Sequence, residues 1–179
     1  AALKRVDAVA YNPGEVRKTN IEGSANVTAA ALKAGVAKVL MISSDKAVEP
    51  TNIYGVSKAA MEHEAIASNA ITYPRGTKVS VLRYGNVMGS RGSVIHTWRT
   101  AIREGRPLPL THPEMTRFWL TLDDAVTCVQ HALQAMKGGE IFVPSIGASK
   151  LTDLAEAMAP GHPIDIVGLR LGGEKLHET

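Results

Sequence analysis

Val39-Leu40-Met41-Ile42 is an unbroken apolar run that passes straight into Ser43-Ser44-Asp45-Lys46. An apolar segment without alternation fits a strand covered on both faces, as in a parallel sheet between layers of helices. Val79-Ser80-Val81-Leu82-Arg83-Tyr84, rich in β-branched residues, reads as the next strand, and Ile141-Phe142-Val143 as a later one. Helical stretches are expected at 15–34, 54–68, 94–104, 123–136 and 152–159, and further strands at 118–122 and 164–167. Pro13 suits the first turn of the first helix and Gly35 its stop. Strands alternating with helices read as an α/β chain. The length of 179 residues, 45% hydrophobic and 21% charged, excludes disordered, collagen-like and disulfide-rich classes. No run approaches the ~18–20 apolar residues of a membrane span, so no membrane partner is expected. A net charge of +3 is too small to argue for nucleic acid. The single cysteine, Cys128, allows no internal disulfide and reads as a small buried hydrophobe, which places the chain in the cytoplasm by default.

Chemistry in an open α/β sheet gathers beyond the carboxyl ends of the strands. Two polar clusters fall there. In the first, Tyr54 and Lys58 are four residues apart and share one helix face. A lysine ammonium near a phenol favours phenolate and lowers the phenol's pKa from about 10 toward neutrality. Such a tyrosine can take a hydroxyl proton while hydride leaves the same carbon. The plainer reading is a solvated pair on a surface helix. Asp45 and Lys46 could divide proton donation and abstraction between them, or be ordinary loop charges. The second cluster runs from Arg83 to Ser93, where glycines admit a ligand to the backbone and Arg91 offers a fork to phosphate oxygens. Arg117 and Arg170 could converge on the same anion. His63, His131, Trp98 and Trp119 carry no comparable signal, and no spacing suggests a metal site.

Taken together, Ser43 to Lys58 and Arg83 to Val94, with Met115-Thr116-Arg117-Phe118-Trp119, Gly139 to Pro144 and Gly173-Glu174-Lys175-Leu176-His177-Glu178, resemble the extended short-chain dehydrogenase/reductases. More narrowly they resemble the inverting UDP-N-acetylglucosamine 4,6-dehydratases of pseudaminic acid biosynthesis. Tyr54 distinguishes this branch, because membrane-anchored relatives commonly carry methionine there. The resemblance implies an incomplete Rossmann-type doubly wound parallel sheet. Residues 1–84 would form the C-terminal half of an NADP-binding domain, and 85–179 mainly the UDP-sugar region. It implies Tyr54 as acceptor of the sugar 4-hydroxyl proton, Lys46 as base toward C5 and Asp45 as acid toward the 6-hydroxyl. Lys58, Ser43 and Tyr84 would contact the cofactor. Ser44, Asn86, Arg91, Ser93, Arg117, Arg170 and Glu174 would hold the UDP-sugar, and Asn20 would support the site. An epimerase or retaining dehydratase of the same superfamily remains open. So does an inactive sugar-nucleotide-binding or dimerisation module.

This sequence departs from the family pattern at His96, at the longer Leu171-Gly172-Gly173 step, and in the glycine-rich phosphate loop, which would precede Ala1. The loop's backbone N–H groups form the pyrophosphate cradle. The 179-residue chain by itself is therefore expected to bind NADP weakly, and an exposed strand edge to be covered by a further copy in a homo-oligomer. Calorimetry on the isolated chain should give no micromolar affinity for NADP; a tight isotherm would overturn this expectation.

Overall fold

The computed structural model describes residues 2–4, 9–72, 76–169 and 172–179. Arg170, expected to bind substrate, lies outside them.

The apolar runs become β1 (Lys38–Ser44) and β2 (Lys78–Tyr84), which pair in parallel over seven positions, from Lys38 opposite Lys78 to Ser44 opposite Tyr84. On the far side of β2 lies β6 (Ile141–Phe142), also parallel, giving the sheet order β1-β2-β6. With neighbours on both sides, β2 buries Val79, Ser80, Val81 and Leu82 almost completely. The first helical stretch is one continuous run in three parts: α1 (Pro13–Val16), a π-helical segment (Arg17–Glu22) and α2 (Gly23–Lys33). The long helix α3 (Ile53–Thr72) begins with the Tyr54 and Lys58 turn. Met61 and Ala65 on α3 pack with Met41, Val79 and Val81 to form the core beneath this sheet.

The rest of the chain is built on smaller pieces. β3 (Asn86–Val87) pairs in parallel with β5 (Thr116–Leu120), which pairs antiparallel with β7 (Ala148–Lys150). β4 (Leu108–Leu110) pairs in parallel with β8 (Ile164–Ile166). Helices α4 (Val94–Arg103) and α6 (Leu151–Met158) enclose a second core of Trp98, Leu108, Leu110, Met115 and Leu151. Trp98 is fully buried, with its indole N–H donated to the Pro109 carbonyl at 2.8 Å. The helix expected at 123–136 is α5 (Leu122–Ala135), started by a capping box between Thr121 and Asp124.

β3, β4 and β7 were not anticipated. Each is two or three residues long, too short for an alternation to register, and β3 lies inside the glycine-studded stretch 85–92. Cys128 is only half-buried, since α5 covers the sheet with one face and leaves Leu122, Val126 and Leu133 exposed.

One buried ion pair sets the height of α3 on the sheet. Glu62 on α3 accepts from Arg83 on β2 through both carboxylate oxygens, at 3.1 and 2.6 Å, and from the Ser43 hydroxyl on β1. Its side chain is 4% exposed against 21% for Arg83. Glu62→Ala leaves the guanidinium without its carboxylate partner and should cost about 3 kcal/mol. Urea denaturation should show the drop, and a loss below about 1 kcal/mol would mean that the pair contributes no more than an exposed one.

Candidate active site

In-register pairing brings the carboxyl ends of β1 and β2 out together, so Ser44 and Tyr84 emerge side by side. After Ser44 the chain turns through a 3-10 segment, Asp45–Ala47, and comes back as α3. The two approach so closely that a Cβ on Gly55 would lie 2.2 Å from the Lys46 carbonyl oxygen. Only glycine fits there, and the contact sets the first turn of α3 against the Asp45-Lys46 turn. A buried polar chain fixes the same turn from below. Asn20, in the π-helical segment, donates to Ser57 Oγ at 3.0 Å, and Ser57 donates to the Tyr54 carbonyl at 2.7 Å. A π segment inside a helix often marks a functional position, and here it carries the support residue that the resemblance implied.

These elements open onto a cleft of about 710 Å³, closed on the other side by β3, the loop to Ser93, β5 and the C-terminal segment 172–179. Tyr54 and Lys58 line it, as do Ser44 and Lys46. Tyr84, Asn86, Arg91 and Ser93 form the next stretch of wall, and Arg117 and Glu174 the far side. Positions spread over 130 residues of chain are thus gathered around one space.

Asp45 is different. It stands behind the wall, 5% exposed, with Oδ1 accepting from Ser44 Oγ at 2.7 Å and from Lys46 Nζ at 3.0 Å. Ser43 lines the cleft, but its hydroxyl proton is committed to Glu62, so its side chain serves the ion pair rather than a ligand. Burial also overrides the expectation for Tyr54. Its phenol is pushed up to about 12, because desolvation outweighs a hydrogen bond with Ser44 that pulls the other way. The Lys58 ammonium donates to the Ile42 carbonyl at 2.8 Å. Burial lowers its pKa, and the nearby Glu62 carboxylate opposes that shift.

Sequence reasoning named Arg117 and Glu174 separately, and the fold joins them. Arg117 is 6% exposed and donates to Glu174 Oε1 at 3.3 Å and to the carbonyls of Lys175 and Leu176 at 3.1 and 3.2 Å. Trp119 and Glu178 were passed over as site residues. Ser93 and Trp119 both line the cleft, and the Trp119 indole nitrogen and Ser93 Oγ are buried without a hydrogen-bond partner. Glu178 reaches Lys46 at 3.4 Å. The motif Gly173-Glu174-Lys175-Leu176-His177-Glu178 held that signal, but a segment without regular structure shows no partner until it is folded.

The donor set suits a nicotinamide cofactor at the Tyr54–Lys58 side. Of the three N–H bonds of the Lys58 ammonium, the Ile42 carbonyl takes one and Met61 Sδ lies at 3.9 Å, which leaves capacity for a ribose hydroxyl in the cleft. Among the described residues no helix is long and apolar enough to cross a membrane.

Comparison with known proteins agrees with this architecture. The chain is 48% identical over 179 residues to the UDP-N-acetylglucosamine 4,6-dehydratase (inverting) of Campylobacter jejuni, covering 99% of this chain and 53% of that protein. It is 43% identical over 183 residues to a UDP-glucose 4-epimerase of Rickettsia canadensis, again 53% of the relative's length. The chain therefore spans about half the length of the curated relatives it matches. The X-ray structure of Pen from Bacillus thuringiensis superposes with a TM-score of 0.92 at 36% identity, over 97% of this chain and 56% of that one. DesIV, a dTDP-glucose 4,6-dehydratase from Streptomyces venezuelae, shares the fold at a TM-score of 0.88 and 24% identity, over 100% of this chain and 62% of that one. The polysaccharide biosynthesis protein family matches residues 1–179, the whole of the chain, and the chain belongs to that family.

Proposed function

We propose that this chain is the catalytic and sugar-binding portion of a nucleotide-sugar 4,6-dehydratase. It would convert UDP-N-acetylglucosamine to a UDP-4-keto-6-deoxy sugar with inversion at C5. One observation carries the reading: Asp45 Oδ1 and Lys46 Nζ are 3.0 Å apart, and Lys46 lines the same cleft as Tyr54 and Lys58. A tyrosine–lysine pair alone suits oxidation at one carbon, which is enough for an epimerase. Loss of water needs a further base and a further acid, and an adjoining lysine and aspartate supply that complement. The relative from Campylobacter jejuni bearing this activity in its name supports the same choice over the epimerase.

In this mechanism Tyr54 accepts the proton of the sugar 4-hydroxyl. When bound, a nicotinamide cofactor, proposed as NADP, supplies the hydride acceptor for C4, the hydride returned to C6, and a positive ring that favours the Tyr54 phenolate. Lys46, as neutral amine, takes the C5 proton made acidic by the 4-ketone, and the C–H electrons pass toward the ketone oxygen. Asp45 provides the proton with which the 6-hydroxyl leaves as water. Because Asp45 stands behind the wall, the Ser44 hydroxyl, 2.7 Å from it and facing the cleft, is the path for that proton. Asn86, Arg91, Ser93 and Arg117 are proposed to hold the UDP moiety, and Arg170, outside the described residues, is proposed for the same role by its place in the sequence motif. A homo-oligomer in the cytoplasm is the proposed assembly; β1, which is paired only by β2 among the described strands, offers an edge for a further strand.

Incubation of the intact protein with UDP-N-acetylglucosamine, followed by NMR of the product, tests the reading. A 6-deoxy-4-keto sugar inverted at C5 is expected. A C4 epimer formed without loss of water would make the protein an epimerase, and no turnover would leave only a binding role. Tyr54→Phe should lower turnover at least about 100-fold. Lys46→Ala should stop exchange of the C5 proton with solvent deuterium while the cofactor is still reduced on mixing.

A further inference from the structure

The last residues of the chain form a strap across the cleft, fastened on both banks. On the β1 side Asn52 donates to the Gly173 carbonyl at 3.0 Å, and Lys175 donates to the Val48 carbonyl. On the β5 side the Thr116 amide donates to the Leu176 carbonyl at 3.1 Å, His177 Nδ1 bonds Thr116 Oγ1 at 2.8 Å, and Arg117 binds the strap as described above. At Gly173 the backbone has φ +92°, and a Cβ would sit 2.0 Å from the Thr51 carbonyl oxygen, so a side chain is excluded there. Held in this way, the strap delivers Glu178 to a position it does not owe to Lys46.

The Glu178 side chain is 3% exposed. Its Oε1 lies 3.4 Å from Lys46 Nζ, and its Oε2 lies 3.4 Å from Lys175 Nζ. Lys46 Nζ thus donates to Asp45 Oδ1 at 3.0 Å and Asn86 Oδ1 at 3.3 Å, and lies 3.4 Å from Glu178 Oε1 as its ion-pair partner. These come from three separate elements: the 3-10 turn, β3 and the strap. The two hydrogen bonds, to Asp45 and Asn86, fix the direction of the nitrogen and leave its third N–H position for the cleft that Lys46 lines, while Glu178 adds a charge contact. Asp45 and Asn86 are available to any chain with this sheet, whereas Glu178 arrives only when the strap has crossed the cleft.

We propose that Glu178 is a positioning residue for Lys46. It aims the amine into the cleft and stabilises the positive charge that appears on Nζ as the amine accepts a proton. This rests on Lys46 acting as the base of the proposed reaction. The role parallels any buried carboxylate placed behind a base, where the stabilised charge develops during the step. It also makes closure of the strap a condition for an effective base, linking sugar enclosure to proton abstraction.

Glu178→Gln in the intact protein keeps the shape and removes the charge. Its kcat should fall about 10- to 100-fold with KM within about twofold. Glu178→Asp keeps the charge and should retain most of the rate. Glu178→Ala removes both shape and charge, should match the glutamine variant's loss of kcat, and covers the case in which that variant fails to fold. A folded Glu178→Gln or Glu178→Ala variant that leaves kcat unchanged overturns the proposal. So does one whose KM rises while kcat holds, since that marks a purely structural residue. A crystal structure of the folded variant should show Lys46 Nζ displaced from Asp45 and Asn86. An unmoved Nζ overturns the proposal even if the wild type dehydrates nothing, so this readout separates failure of the positioning role from failure of the proposed reaction.

Discussion

Every feature of the cleft hangs on the parallel pairing of β1 with β2. Seven matched positions bring Ser44 level with Tyr84 at the carboxyl end of the sheet, and a shift of one residue would turn the polar strand ends away from each other. Because β1 ends there, the chain must turn at Asp45–Ala47 and return as α3, which brings Lys46, Tyr54 and Lys58 to one rim. The pairing is held by α3, whose Glu62 grips Arg83 on β2 and Ser43 on β1 together. On the same helix Met61 and Ala65 pack against Met41, Val79 and Val81.

The cleft itself lies between two cores, one under the parallel sheet and one around Trp98. Two such bodies joined by a few chain crossings could rock against each other. The strap from Gly173 to Glu178 opposes this, because it binds the 48–52 turn on one side and Thr116 and Arg117 on the other. Most of its bonds join a specific side chain (Asn52, Lys175 or Arg117) to a backbone carbonyl, so they depend on those residues as well as on the path of the chain. The steric limits at Gly55 and Gly173 serve the same end, letting backbone approach backbone where a methyl group would force the parts apart.

Much of this was legible in the residues. The run at 39–42 announced a buried strand, because apolar side chains on both faces have no other comfortable place in an α/β layer, and the β-branched segment 79–84 read as the next strand. The segment 43–58 announced the site, since polar residues straight after such a strand lie where ligands bind. Other elements left no such mark. β3, β4 and β7 exist because neighbouring strands supply hydrogen-bond partners, not because two or three residues favour extension. The state of Tyr54 was misjudged because a spacing of four places a lysine on the same face without saying where its ammonium goes. Folding directs it to the Ile42 carbonyl and buries the phenol.

From the sequence alone came the layered α/β class, the strand ends that carry chemistry and the identities of Asp45, Lys46, Tyr54 and Lys58. These follow from local pattern and from residue type, which act over a few positions along the chain. The tertiary structure decided which groups meet. It set Asp45 behind the wall and Lys46 in front of it, tied Arg117 to Glu174 across 57 positions, and carried Glu178 to Lys46 from the far end of the chain. Such contacts depend on how layers stack and where a strap crosses, and no short-range periodicity encodes distances between segments that meet only after the sheet has formed.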